Sequence, residues 1–484
     1  MDRRAIFSLC LLSLMITPFA QDSARQTADV IIRTYYQSKI LPDSIYQMNI
    51  VSGKKMEVVL LSQRNVDASS NAYRQAFRKS PGIFVSEHDP SGLQTSISTR
   101  GLSANRSWEF NMRQNGYDIA ADPSGYPEAY FSPTLDAVSS IEVYRGSSAL
   151  QFGTQFGGLI NYQLKDNTGE KPFSYEGSHT SGSFGLVNSF NAIGGKKGKI
   201  NYYSFYDQRN GEGWRNHSRF FSKAGFGSLT YHFTNQLSLS FELMHSHTRS
   251  QQAGGLTDAQ IKQNAKQSFR NRNWMDIKWT TPAINIQYEM NDHSRWITKI
   301  FGTIGDRSSV GFLQSILVKD SINKATSQFN NRIVNVDQYR NYGLESRFIT
   351  DYFIGSMKNT ISSGIRFYKG NTHRLADGKG TTGSDYDVRI EGFYPKDIHF
   401  RSNNGAVFIE NIFRVTEKLL IIPGIRYEWL EGSASVSNGL SGNDAIIHLQ
   451  NITRSRSFIL GGIGSEFHLT NTTEFYANFS QAYR

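Results

Sequence analysis

The side chains here that could do chemistry at a recognisable spacing are arginines set before glycines. Arg100-Gly101 and Arg145-Gly146 each follow a short strand-like run, Gln94 to Thr99 and Ile141 to Tyr144. A guanidinium is a planar fork of donors suited to carboxylates, and a following glycine permits a turn that other residues resist. Such pairs fit a structural ion lock better than catalysis. No Ser/His/Asp set or paired carboxylates occur at a recognisable spacing. His245-Ser246-His247 places two imidazoles on one strand face, a pair able to hold a metal. They extend the face of Leu237, Leu239, Phe241 and Leu243, so an interfacial position is the expected one. The single cysteine, Cys10, lies in the N-terminal apolar run, which excludes disulfides, thiol catalysis and cysteine-held metal from a chain that loses this run. We read no enzyme, no resident cofactor and no protein-bound metal.

The elements that must position these arginines follow from texture. Met1-Asp2-Arg3-Arg4 followed by Ala5–Ile16 reads as a secretory signal over residues 1–20. Residues 21–41 are polar except for Asp29, Val30, Ile31 and Ile32, a short extended stretch able to add to the edge of a partner's sheet. Residues 42–166 read as a compact α/β domain, with a helix over Asn71–Lys79 presenting Ala72, Ala76 and Phe77, and strands at Ile83–Val85 and Gln94–Gly101.

Residues 167–484 change to period-two alternation, as in Ile284, Ile286, Tyr288 and Met290, or Ile459, Ile463, Phe467 and Leu469. Residues two apart on a strand share a face, so each strand shows one apolar and one wetter side. Short polar turns at Thr234–Gln236, Asn291–His293, Thr416–Lys418 and Thr470–Thr472 alternate with long segments such as Thr248–Asn273 and Gly370–Asp397. That is the pattern of an antiparallel transmembrane β-barrel. An aromatic content of 13% against a hydrophobic content of 38% fits it. The net charge of +11 is scattered, which points to attraction of anionic solutes rather than nucleic acid. The pattern yields about a dozen strands, whereas a barrel that encloses a domain needs about 22. The expectation is therefore an incomplete barrel that stops within a strand at Phe475–Arg484.

Several stretches together resemble TonB-dependent outer-membrane receptors, the ferric dicitrate transporter branch in particular. They are Phe77-Arg78-Lys79-Ser80-Pro81-Gly82-Ile83, Ser96-Ile97-Ser98-Thr99-Arg100-Gly101-Leu102, Gly125-Tyr126-Pro127, and Ile141–Gly153 running on to Gly157-Gly158-Leu159-Ile160-Asn161. The resemblance implies an N-terminal plug inside the barrel and a location in the outer membrane of a Gram-negative bacterium. It also implies uptake of an iron chelate, with iron carried only as part of that cargo. The energy would come from TonB and its inner-membrane partners, with Asp29–Ile32 as the coupling segment. It makes Arg100, Gly101, Glu142, Arg145, Gly146, Gly157 and Gly158 plug-locking residues, the arginines gripping barrel glutamates, with Glu410 one candidate and partners beyond Arg484 the other, and the paired glycines allowing plug and wall to approach. Where that branch carries a ligand-facing arginine this chain has Glu109, and Asn115 replaces an aspartate. The candidate ligand contacts are thus Arg106, Trp108, Glu109 and Arg113, with Arg215 and His217 in a loop and Arg270 and Arg272 as further anion-attracting residues. Two alternatives stand beside the transporter: a passive porin-like or enzymatic barrel, which needs neither plug nor coupling segment, and a non-functional fragment.

Overall fold

The computed structural model describes residues 45–482 except 54, 64–65, 88–91, 93–94, 123–126, 147–149, 154, 167–170, 442–444, 447–450 and 471–472. The signal segment, Asp29–Ile32, Gly125-Tyr126 and Ser147–Ala149 lie outside the described residues.

The inner domain is built on a 5-stranded sheet in the order Lys55–Leu60, Val138–Arg145, Gly158–Leu164, Phe110–Gln114, Tyr117–Asp118. Its pairings are antiparallel except that Phe110–Gln114 runs parallel to Gly158–Leu164. A hairpin of Ile83–Glu87 and Thr95–Thr99 stands beside it. The helix occupies only Tyr73–Phe77, and it buries Tyr73 where the apolar pattern predicts Ala72. Ser80-Pro81-Gly82 then turns the chain, with Gly82 at φ +72°, a conformation glycine adopts without a Cβ penalty.

The rest is a 15-stranded antiparallel sheet. Its main path runs in chain order: Ser174–Ser181, Val187–Lys197, Ile200–Gly211, Phe220–His232, Leu237–Gln251, Trp274–Glu289, Ser294–Gly311, Ile333–Ile354, Met357–Gly380, Lys396–Arg414, Leu419–Ser441, Asn451–Thr470 and Thr473–Ser480. Among the described residues its two terminal strands do not pair with each other, so the sheet is open.

The alternation in the sequence sorts by face as expected. Leu239, Phe241, Leu243, Ile284, Ile463 and Phe467 are all exposed on the outer face. Such an apolar outer surface is what a lipid-facing wall carries. One boundary differs. The sequence predicts a long loop over Gly370–Asp397, but the strand from Met357 continues to Gly380 and the next begins at Lys396. Beyond the apolar band the outward positions are polar, as at Lys369, Asn371 and His373, so the strands stay paired while the apolar alternation in the sequence stops.

The wall's inner face packs on the inner domain through a large core and a smaller cluster of Met48 and Ile50 with Ile349, Ile412, Leu420 and Ile422. The large core joins Val59, Ile97, Ile141, Val143 and Ile160 to the wall aromatics Phe205, Phe226, Trp279, Phe301 and Tyr339. Tyr117 stacks on Phe301 at 6.3 Å, and the Trp279 indole donates to the Ile119 carbonyl at 3.0 Å.

Candidate functional site between the inner domain and the wall

A two-residue turn starts the site. Asn115 (φ +46°) and Gly116 (φ +80°) join Phe110–Gln114 to Tyr117–Asp118 and set Arg113 opposite Asp118. Positive φ at both turn residues is the tight hairpin geometry that Asn-Gly favours. Arg113, with its side chain fully buried, reaches the wall and donates to both oxygens of Glu345, at 2.6 and 2.7 Å. It also donates to Asn111 Oδ1 and the Gly116 carbonyl. Arg366 of the wall closes the circuit, donating to Glu345, to Asp118 at 2.6 Å and to Asn404 at 3.0 Å. The Arg113 and Arg347 guanidinium groups each lie against the Phe152 ring, at 4.9 and 4.6 Å. Arg113 and Arg366 thus meet two carboxylates, one from each domain. Removing one member of such a buried network leaves charge uncompensated.

Further contacts surround this centre. Asn115 and Tyr117 donate to Glu242 at 2.7 and 3.1 Å, and Lys299 donates to the Asn115 carbonyl at 2.5 Å. Gln151 donates to Glu410, and the Gly53 amide donates to Glu466 at 2.6 Å.

Toward the ends of the strands that carry the long loops lies a second cluster. Arg106 donates to Glu128 at 3.1 Å, and Arg374 donates to Glu128 at 3.2 Å and to Asp337 at 2.7 Å. Arg307 donates to Asp337 at 2.8 Å. The Tyr130 hydroxyl donates to Glu128, and its ring lies 5.3 Å from Arg106 and 5.4 Å from Arg307. Three arginines face two carboxylates here, leaving an excess of positive charge, and the Arg106 side chain is 32% exposed.

The residues singled out from the sequence divide among several places. Arg145 donates to the Pro81 carbonyl at 2.9 Å, with Glu57 at 3.7 Å. Arg100 is exposed and donates to the Phe156 carbonyl. These contacts lie within the inner domain, and Glu410 accepts from Gln151. Glu142 points to the opposite strand face from Arg145. It is fully buried, accepts from Tyr144 at 3.0 Å and Asn161 at 2.9 Å, and burial pushes its carboxyl above the usual range.

The resemblance has Gly157 and Gly158 admit the wall, but the close backbone is the inner domain's own. A Cβ at Gly158 would sit 2.0 Å from the Tyr144 carbonyl, and one at Gly157 would sit 2.5 Å from that of Glu109. Gly146 does meet the wall, 2.8 Å from Asn478 Oδ1 by the same measure, while Gly101 has open space.

Of the expected ligand contacts, Arg106 lies in the second cluster and Arg113 is engaged by Glu345. Glu109 is buried, Trp108 is half-buried and His217 is exposed. Arg215 donates to the Gly254 and Gln267 carbonyls, so it braces loops. Arg270 and Arg272 are buried and also tie loops, Arg272 through a two-pronged contact with Asp320. His245 faces outward beside Thr280, and His247 contacts Asp276 at 2.9 Å.

Sequence reasoning missed Glu345, Arg366, Arg374, Asp337, Arg307 and Glu128. One signal was available. Asn115-Gly116 marks a two-residue hairpin, whose register alone sets Arg113 opposite Asp118.

Two family models match the chain: the TonB-dependent Receptor Plug Domain over residues 55–159, and the TonB dependent receptor-like β-barrel over residues 308–484. No curated protein matches it by sequence. Among solved structures, the unliganded ferric citrate transporter FecA aligns with TM-score 0.73 and 19% identity, over 88% of this chain and 62% of that one. The open form of the ferric-catecholate import receptor Fiu from E. coli K12 aligns with TM-score 0.68 and 14% identity, over 89% and 69%. The siderophore receptor PiuA from Acinetobacter baumannii gives TM-score 0.67 and 15% identity, over 89% and 64%. The chain thus spans under two thirds of the length of the FecA structure.

Proposed function

Since the chain belongs to the TonB-dependent receptor family, whose members are transporters and receptors rather than enzymes, we propose that it serves energy-coupled uptake of an anionic iron chelate across the outer membrane. In this reading residues 42–166 are the plug and the sheet is the wall. Arg113 holds the plug to Glu345 in the resting state. A chelate entering from the long-loop side meets Arg106, Arg307 and Arg374, whose charge the two carboxylates leave in excess. Low-dielectric walls lined with one sign of charge concentrate ions of the other. TonB engages the segment before the plug, and pulling on it must break or shift the contacts that the plug makes with the wall.

The observation that carries this reading is the inner domain itself, seated on the wall's inner face and locked by a two-pronged ion pair. A passive pore has no use for it. Ferric citrate is the first cargo to try, given the FecA likeness in fold, with other anionic ferric siderophores beside it.

The test is growth on a panel of ferric chelates by a strain stripped of its own receptors and carrying this chain. We expect rescue by at least one anionic chelate, lost when TonB is deleted. Rescue that persists without TonB rejects energy coupling, and no rescue by any chelate rejects the transport assignment.

A further inference from the structure

Outside the plug–wall site, His373, Asp397 and His399 gather on the outer face of the wall. Met357–Gly380 and Lys396–Arg414 pair so that His373 stands directly opposite His399. Asp397 lies two residues before His399 and so shares its face. The two imidazole rings stack with centroids 4.0 Å apart and 11° between their planes. Both Nε2 atoms converge on one carboxylate oxygen: Asp397 Oδ1 is 2.7 Å from His373 and 3.8 Å from His399. The ligand atoms of all three lie within 4.8 Å of one another.

The cluster stands clear of the apolar band. On the same outer face Phe367 and Val407 are exposed apolar residues. Between them and the histidines come Lys369, Asn371, Asn403 and Arg401. The histidines therefore meet water at the long-loop end, at the base of the loop over residues 381–395.

We propose that His373, Asp397 and His399 form a surface site for a divalent transition-metal ion of the zinc class, separate from any transported chelate. Two imidazoles and a carboxylate are a common donor set for such an ion, with the fourth position left to water. Metal–ligand bonds of about 2.0–2.2 Å place tetrahedral donors about 3.4 Å apart. The present separations of 2.7 and 3.8 Å straddle that value, and the two rings, stacked within 11° of parallel, must turn toward each other to aim both Nε2 lone pairs at one ion, a rotation open to side chains that lie partly in solvent. Imidazole ligands favour zinc, copper or nickel over hard ions. A bound ion cross-links the two strands and fixes the base of their loop.

The experiment is Zn2+ titration of the full chain in detergent against a chromophoric chelator, beside His373→Ala/His399→Ala and Asp397→Asn. The proposal expects wild type to bind one equivalent more than the double variant. Asp397→Asn, which preserves shape, should weaken that site at least tenfold. Thermal midpoints without metal should coincide, since all three side chains lie partly in solvent, and Zn2+ should slow proteolysis of the 381–395 loop in wild type alone. Equal Zn2+ stoichiometry in wild type and both variants overturns the proposal.

Discussion

Arg113 and Glu345 join through paired hydrogen bonds of 2.6 and 2.7 Å although 232 residues separate them in sequence. Glu345→Gln should therefore leave Arg113 and Arg366 facing each other with Asp118 to balance both. Losing one partner of a buried pair costs about 3–5 kcal/mol. We expect a stability loss of that size in denaturant unfolding of the detergent-solubilised chain, and faster proteolysis of the plug. Arg113→Met with Glu345→Gln should cost less than the two separate losses combined. Additive losses would show that the two side chains do not act as a pair.

Gly158 and Gly101 both have positive φ, at +101° and +76°, but only Gly158 lies against backbone. Gly158→Ala drives a methyl into the Tyr144 carbonyl and should abolish folding or cost several kcal/mol. Gly101→Ala meets open space and should cost only the conformational penalty of about 1–2 kcal/mol. Comparing folded yields of the two variants checks this; equal yields would refute the packing argument.

Burial raises the pKa of Glu142 in the folded chain. The folded state thus holds its proton more tightly than the unfolded one. The favourable contribution is full below the ordinary carboxylate pKa and is lost as pH rises through the raised value. Glu142→Gln keeps an acceptor for Tyr144 and Asn161 and removes the titration. Its stability advantage over wild type should grow from pH 4.5, the ordinary glutamate value, toward neutrality, measured by denaturant midpoints. An advantage independent of pH would show that Glu142 does not titrate in this window.

Arg106 joins the second cluster from a partly exposed position. Arg106→Ala should weaken binding of an anionic chelate about tenfold, roughly 1.4 kcal/mol, and leave the thermal midpoint nearly unchanged. Chelate binding by fluorescence quenching, read beside calorimetry, separates the two effects. A large fall in midpoint with unaltered affinity would make Arg106 a structural residue.

The domain order, the alternation of outward-facing apolar positions and the short turns were legible in the sequence because each depends on neighbours a few residues apart. The opposite facing of Glu142 and Arg145 was legible too, since an odd spacing on a strand separates faces. The Asn115-Gly116 turn likewise encoded the Arg113–Asp118 pairing.

What the sequence by itself determined is local: which residues alternate and where chains turn. The tertiary structure alone decided partners. Glu345 and Arg366 flank Arg113 because the Ile333–Ile354 and Met357–Gly380 strands pair in one register against the plug. His373 meets His399 by the register of the next pair. A strand's period fixes the face a side chain takes, but the residue it meets across the sheet depends on pairing over long separations, which a local pattern does not carry.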